Sequence, residues 1–382
     1  MAALLAAAPL AAQTVGQPLP KWTPGTLDIH QINTGRGNAA LFVFPDGTSL
    51  LLDAGDGGNP PPRGTAPRPD GSRPTAEWIA RYVRAQGVSA IDYGYLTHFH
   101  DDHMNAIVDL AARVPIKKMF DRGWPDYAYP APDHRELQAP AFLRYREWIT
   151  RGGVQGERLR PGRNDQIVLV KDAKAHPGFE VRNVAADGEV WTGTGTETRK
   201  LFPPLDGLDR EDWPTENMCS LALRLRYGAF DYFSGGDMPG NVRPGYPAWQ
   251  DVETAVSRAV GPVDVAILDH HGNRDSTSAA FVSTVRPRAW IIPVWSADHP
   301  GHDVLDRMYS TRLYPGPRDV FATNMLEANR LVIGPLLDRL LGAQGHIVVR
   351  VAPGGASYQV IILDDAAETY AVKAVHGPYE SR

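Results

Sequence analysis

Short apolar runs separated by polar turn residues dominate the first hundred positions. Leu27 to Ile32, Ala40 to Phe44 and Ser49 to Asp53 are joined by Asn33-Thr34-Gly35-Arg36-Gly37-Asn38 and by Pro45-Asp46-Gly47, a pattern that predicts antiparallel strands with tight turns. From Asn59 to Pro74 the chain is rich in Pro, Arg and Gly without periodicity and reads as a loop, with Arg63, Arg68 and Arg73 facing solvent. Trp78, Ile79, Tyr82 and Val83 then recur at helical spacing, which predicts a helix over Thr75 to Gln86. It delivers the chain to a further strand, Ile91 to Leu96, and to a helix-like stretch, Met104 to Leu110.

The pattern changes at Met119. Up to Asn164 the chain carries Trp124, Tyr127, Tyr129, Phe142, Tyr145 and Trp148 among Arg and Pro, with a helix over Pro140 to Arg151. Such an insertion either caps the mouth of a site or shields a sheet edge; Trp124 and Tyr127, in a Pro-bounded loop, are the candidates for substrate contact. Strands resume at Ile167 to Val170 and Phe179 to Ala185. Glu216 to Gly228 and Phe230 to Asp237 form a hairpin about Tyr227-Gly228-Ala229. Val263 to Asp269 and Arg288 to Trp295 read as buried strands, and Ser276, Thr277 and Ser278 are placed to cap the helix between them. A helix over Val304 to Ser310, a strand over Val320 to Thr323 and a helical stretch from Leu326 to Leu341 broken at Gly334-Pro335 follow. Gly345 to Val351 and Tyr358 to Leu363 close the chain as a hairpin, and the tail after Val375 is expected to be loose.

Composition narrows the class. The 382 residues carry a formal charge of -5, which argues against an obligate nucleic-acid partner and its basic surface. Cys219 is the only cysteine, so neither an intramolecular disulfide nor a thiolate zinc site is available, and its apolar neighbours suggest a buried strand position. Ala2 to Ala12 is an Ala/Leu-rich run too short to span a bilayer. With no Lys or Arg before it, it is either a signal peptide whose start lies upstream, cleaved near Ala12, or an apolar tail. The first alternative implies export, to the periplasm or beyond; the second a cytoplasmic protein. The organisation expected is a leader over 1–12, a linker over 13–26, one domain over 27–375 with an insertion at 119–164, and a tail over 376–382.

The chemistry gathers in Thr97-His98-Phe99-His100-Asp101-Asp102-His103, where an apolar strand gives way to a helix. His98 and His100 point the same way on an extended backbone, while Asp102 and His103 on the tightening turn face a neighbouring ion, so the stretch serves two cations. Gly235-Gly236 allows close approach of the backbone and presents Asp237 at a strand end as a bridging carboxylate. His270-His271 ends another strand and completes the site; because strands alternate their side chains, only one of the pair is expected in the coordination sphere.

The ordered set His98-x-His100-x-Asp102-His103, Asn217, Ser220, Gly228, Gly236-Asp237, His270-His271-Gly272 and His302 resembles the metallo-β-lactamase superfamily. Within it, the set is most similar to the soluble hydrolase domain of ComEC-type DNA-uptake proteins and to the phosphorylcholine esterases. The resemblance spans Leu27 to Val351. It implies an α+β fold, a four-layer αββα sandwich interrupted by the aromatic-rich helical insertion, with a dinuclear metal site at one edge. It also implies that Asp53, which could otherwise merely cap a turn, orients a ligating histidine. His98 and His100 are assigned to one metal, Asp102, His103 and His271 to the other, and Asp237 to both, with His270 left to face the substrate and His302 near it. Members of the superfamily commonly place a further histidine between the first cluster and the bridging Asp; here that interval holds only His134 and His176.

All-imidazole and carboxylate ligation suits Zn²⁺ first, then Mn²⁺ or Fe. The implied activity is hydrolysis of a phosphodiester, in a small or short oligomeric anionic substrate, by a metal-bridging hydroxide. The alternatives are a β-lactam, lactone or other carboxylic-ester or amide hydrolase, and a metal-binding module without turnover.

Overall fold

A strand such as Ala40-Leu41-Phe42-Val43, apolar at every position, needs cover on both faces. The computed structural model, which describes residues 13–57, 63–242 and 244–382, supplies that cover with four layers. The first half of the chain runs β1 (Leu27–Gln31), β2 (Ala40–Val43), β3 (Ser49–Leu52), α1 (Thr75–Ala85), β4 (Ile91–Tyr95), α2 (Asp101–Met104), α3 (Ile107–Ala111), β5 (Ile116–Asp121), α4 (Pro140–Thr150) and β6 (Gln155–Arg158). The second runs β7 (Phe179–Ala186), β8 (Glu189–Trp191), β9 (Thr198–Lys200), β10 (Ala222–Tyr227), β11 (Phe230–Ser234), α5 (Val252–Val260), β12 (Val265–Ile267), α6 (Ala279–Val285), β13 (Ala289–Ile292), α7 (His302–Tyr309), β14 (Asp319–Ala322) and α8 (Glu327–Ile333). The chain then returns to the first sheet as β15 (His346–Val351), β16 (Ser357–Leu363) and β17 (Val372–Glu380).

Among the described residues the first sheet is ordered β17-β16-β15-β1-β2-β3-β4-β5-β6 and the second β14-β13-β12-β11-β10-β7-β8-β9. Side-chain alternation divides the core between layers. Leu41 and Leu51 face out towards Ile79 and Val83 of α1 and Phe142 of α4. Phe42, Leu50 and Leu52 face in, against Leu223, Leu225 and Tyr232 of the other sheet. The far face of the second sheet, with Phe233, Ala266 and Trp290, is covered by Val256 of α5, Phe281 of α6 and Leu305 of α7. This is the α+β, αββα sandwich expected.

Both sheets switch from antiparallel to parallel pairing near their middle. β3, β4, β5 and β6 are parallel, as are β11, β12, β13 and β14, and the crossovers between them run through helices. Parallel strands emerge at the same end, so the loops at their carboxyl ends collect at one edge.

Two local expectations are corrected. Ile167 to Val170 forms no strand: Val168 and Val170 are 41% and 52% exposed, and the backbone there bonds the hydroxyls of Tyr93 and Thr48 instead of a neighbouring strand. The tail after Val375 is not loose, because β17 runs on to Glu380 against β16 and Tyr379 reaches Asp319 with its hydroxyl. The linker is also tied down, with Pro18 bridged to Ala371 and Trp22 packed on the core. The aromatic insertion divides its roles, since Phe142, Tyr145 and Ile149 of α4 belong to the core while Ala131 and Asp133 to Glu136 line a cleft. The leader expected over 1–12 lies outside the described residues, and among those described no helix is long and apolar enough to cross a membrane.

Candidate metal centre

The carboxyl ends of the parallel strands carry the chemistry: Asp53 follows β3, His98 to His103 follow β4, Asp237 follows β11 and His270-His271 follow β12. Two groups of ligand atoms converge there. Nε2 of His98 and Nδ1 of His100 stand 3.1 Å apart, with Oδ2 of Asp237 at 3.7 Å from the former. In the other group, Nε2 of His271 lies 3.1 Å from Oδ2 of Asp102 and 3.1 Å from Nε2 of His103, which is 3.2 Å from Oδ1 of Asp237. Asp237 is common to both, its Oδ1 towards His103 and its Oδ2 3.7 Å from both His98 and His271.

The ring orientations follow from what the opposite nitrogens touch. His103 Nδ1 meets Asp53 Oδ2 at 2.7 Å and His271 Nδ1 meets the carbonyl of Pro293 at 2.9 Å, so in both rings the proton sits on Nδ1 and the lone pair on Nε2. Those two nitrogens face each other across 3.1 Å, a contact that needs either a proton or a metal cation between them. Nitrogens around a tetrahedral zinc stand roughly 3.3 Å apart, so the donor set fits a metal. In the first group the Thr97 hydroxyl lies 3.1 Å from His98 Nδ1, and Glu136 stands as a charge partner 3.7 Å from His100 Nε2.

Asp53 does more than orient. Its φ is 58°, and its two oxygens also accept the backbone N–H and hydroxyl of Thr97 and the amide of Asn38, anchoring the strand end that bears His98. Close approach matters next door, where a Cβ at Gly55 would fall 1.5 Å from the carbonyl oxygen of Asp102.

The charge demand of the site points the same way. Burial would raise Asp237, yet the imidazoles of His103, His271, His270 and His98 hold it well below the usual carboxylate range. Burial opposes charge on His103, but Asp237, Asp102 and Asp53 carry its pKa well above normal, while burial pushes His98 well below. The buried carboxylates thus require positive charge beside them, which protons or metal cations can supply.

His270 and His271 do not alternate as strand residues. Both sit at positive φ, 47° and 54°, in a left-handed turn after β12, and this separates their rings. His271 turns inward, 1% exposed, while His270 lines a cleft of about 590 Å³ that also reaches His100. His270 Nδ1 is held 2.6 Å from Asp275, and Nε2 lies 3.4 Å from the Asn217 amide and 3.8 Å from Asp237. Burial works against its charge, but Asp237 and Asp275 lift its pKa to about 9.

Other positions differ from expectation. Tyr127 is 4% exposed, its hydroxyl committed to Asp121 and its ring packed against Phe99 and Phe142, so it is a core residue and no substrate contact. Trp124 packs beside it, over Gly156. His302 is 53% exposed on α7 and pairs with Asp306, and His176 lies against Tyr227, so neither joins the cluster. His134 is one residue removed, 3.0 Å from Glu136 on the side opposite His100. Three participants escaped the sequence reading. His299 stacks on His271 at 4.6 Å and 18°, Trp295 Nε1 lies 3.4 Å from His271 Nε2, and Glu136 buttresses His100. The first two follow β13, and the parallel order of β12 and β13 was the signal that could have placed them beside His271.

No family model matches the chain, and no curated protein does. Among solved structures, the chain is similar to a metallo-β-lactamase from Cronobacter sakazakii, at 17% identity over 65% of this chain and 78% of that one, with a TM-score of 0.34. It is also similar to CmlA, a diiron β-hydroxylase from Streptomyces venezuelae, at 12% identity over 88% of this chain and 55% of that one, with a TM-score of 0.41. MEM-A1, a subclass B3 metallo-β-lactamase from a soil metagenome library, gives 13% identity, 78% and 85% coverage and a TM-score of 0.35. Likeness at this level carries no argument about activity. The fold rests on the layers and the site on its own geometry.

Proposed function

We propose that the chain is a metal-dependent hydrolase of the metallo-β-lactamase superfamily with two metal positions, and that its substrate is a phosphodiester. The observation that carries this reading is the pair of ligand groups sharing Asp237, with His270 beside them on the cleft wall. His98, His100 and Asp237 would hold one ion and Asp102, His103, His271 and Asp237 the other; zinc fits this imidazole and carboxylate set, and manganese or iron are the alternatives. When bound, such ions supply Lewis acidity and lower the pKa of water to about 7.

The chain's own residues do the rest. Asp53, Pro293 and Glu136 fix the rings, so little reorganisation is left for the reaction. His270, protonated and held by Asp275, can donate to an anionic oxygen or to the leaving group from the cleft side. Arg135 and Arg210, with the amides of Asn217 and Asn241, line the same cleft and supply donors to a phosphate. We further read the protein as exported, on its N-terminal apolar run. The test is a panel of chromogenic phosphodiester, phosphomonoester, lactone and β-lactam substrates on zinc- and manganese-loaded protein, with elemental analysis alongside. Phosphodiester turnover that chelation abolishes supports the reading. Turnover of only the lactone or β-lactam moves the substrate class, and protein without bound metal and indifferent to chelator overturns it.

A further inference from the structure

Between His98 and His100 the backbone belongs to no helix or strand, so its N–H groups lack the partners regular structure provides. The N–H of Phe99 is met by a side chain 117 positions away, donating to Oε1 of Glu216 at 2.8 Å. Glu216 is wholly buried, and a lone carboxylate there would be costly. Arg122 at the end of β5, 1% exposed, offsets it with a two-pronged pair, Nε to Oε1 at 2.9 Å and Nη2 to Oε2 at 2.6 Å. Its remaining nitrogen donates to the carbonyl of Tyr129 and to Asp187, both at 3.1 Å.

The guanidinium also lies 4.5 Å from the centre of the Phe99 ring, and Phe142 closes on that ring at 4.7 Å. Phe99 is therefore held by its backbone and its ring together. Since side chains alternate along extended backbone, fixing Phe99 towards the core fixes His98 and His100 towards the opposite side. The segment after Glu216 grips the same strand end again, with the N–H of Leu221 donating to the carbonyl of Thr97 at 2.9 Å.

We propose that Arg122 and Glu216 are positioning residues whose buried ion pair, acting through Phe99, sets the metal affinity of the group formed by His98, His100 and Asp237. The inference rests on the metal reading above. It does not extend to the group containing His103 and His271, which Asp53 and Pro293 orient independently.

The test is a chelator-competition titration with Co²⁺, followed by its visible spectrum, in two backgrounds. His271→Ala is used to isolate the first group and His100→Ala the second. Glu216→Gln keeps the side-chain shape and removes the charge; in the His271→Ala background it should weaken binding about 10- to 100-fold, the usual effect of disturbing an outer partner of a ligand. In the His100→Ala background it should leave affinity within twofold. Removing one member of a buried pair can unfold a protein, so the double variant Arg122→Met/Glu216→Gln, which leaves no lone charge at this spot, is measured in parallel and should show the same selectivity. Arg158→Met, altering the exposed partner of Asp187, is the control and should change neither affinity. Equal weakening in both backgrounds would make the pair a general stabiliser and overturn the proposal, as would unchanged affinity in both. A wild-type chain that binds no metal overturns the metal reading with it, whereas a wild-type chain binding two equivalents beside an unaffected Glu216→Gln overturns this inference alone.

Discussion

Oδ2 of Asp53 lies 2.7 Å from Nδ1 of His103, and neither side chain is more than 1% exposed. The contact fixes which nitrogen of His103 carries the proton and turns the other towards Asp102, Asp237 and His271. Asp53→Asn presents an amide nitrogen or a weaker acceptor to that ring. We expect metal affinity of the second group to fall about 10- to 100-fold, read by competition with a chelator of known affinity. Undiminished affinity would mean that the ring is oriented by the metal itself.

The neighbouring histidines should separate cleanly. His271→Ala removes an inward ligand and should lose about one metal equivalent, whereas His270→Ala should retain its metal and lose turnover by about 10²- to 10³-fold, the scale of a lost transition-state hydrogen bond or proton donor. Metal stoichiometry and kcat measured on both variants decide it. Metal loss in His270→Ala with full occupancy in His271→Ala would exchange the roles.

His134 and His176 should both be dispensable for metal content. His176→Ala alters a ring beside Tyr227, and His134→Ala removes the outer neighbour of Glu136. Elemental analysis should return wild-type stoichiometry for each. A lost equivalent in either variant would make that histidine a metal ligand.

A pH effect arises at two buried histidines outside the ligand groups. Burial, reinforced by Arg350 and only partly offset by Asp28, lowers the pKa of His30 to about 4, and burial beside His30 and Lys373 lowers that of His346 to about 3. Below pH 6.5 the unfolded chain takes up protons at these positions and the folded chain does not, so stability should fall as pH drops from about 6.5 towards 4. His30 alone accounts for a loss on the order of 3 kcal/mol across that window. Denaturant titrations of wild type and His30→Gln should show the variant with the flatter dependence, and parallel curves would remove His30 as the source.

How much of this was legible in the sequence depended on how local the cause was. The His98 to His103 cluster is contiguous and could be read directly, whereas the αββα layers were expected only through the family resemblance that this cluster and the later Asp and His motifs carry. Ile167 to Val170 was misread because four β-branched or apolar residues carry a strand's propensity wherever they lie, and tertiary partners decide. Tyr127 was misread because a Pro-bounded aromatic loop looks the same from the sequence whether it packs outward or inward. His299, Glu136 and Glu216 act only through contacts with residues distant in the chain, and nothing near them in sequence marks that role. The left-handed turn at His270-His271 was invisible for a different reason, since side chains there tolerate a backbone usually reserved for glycine.

His103 follows a strand of one sheet and His271 a strand of the other, 168 positions apart. An ion bound by both would act as a removable staple across that end of the sandwich, adding to the Leu221–Thr97 backbone hydrogen bond and the Arg122–Glu216 ion pair that already join the two halves there. Anything that binds the folded chain alone stabilises it by mass action, about 4 kcal/mol when free ligand exceeds the dissociation constant a thousandfold. The melting temperature should therefore track free metal concentration, and a cell's metal supply would govern the protein's lifetime as well as its turnover.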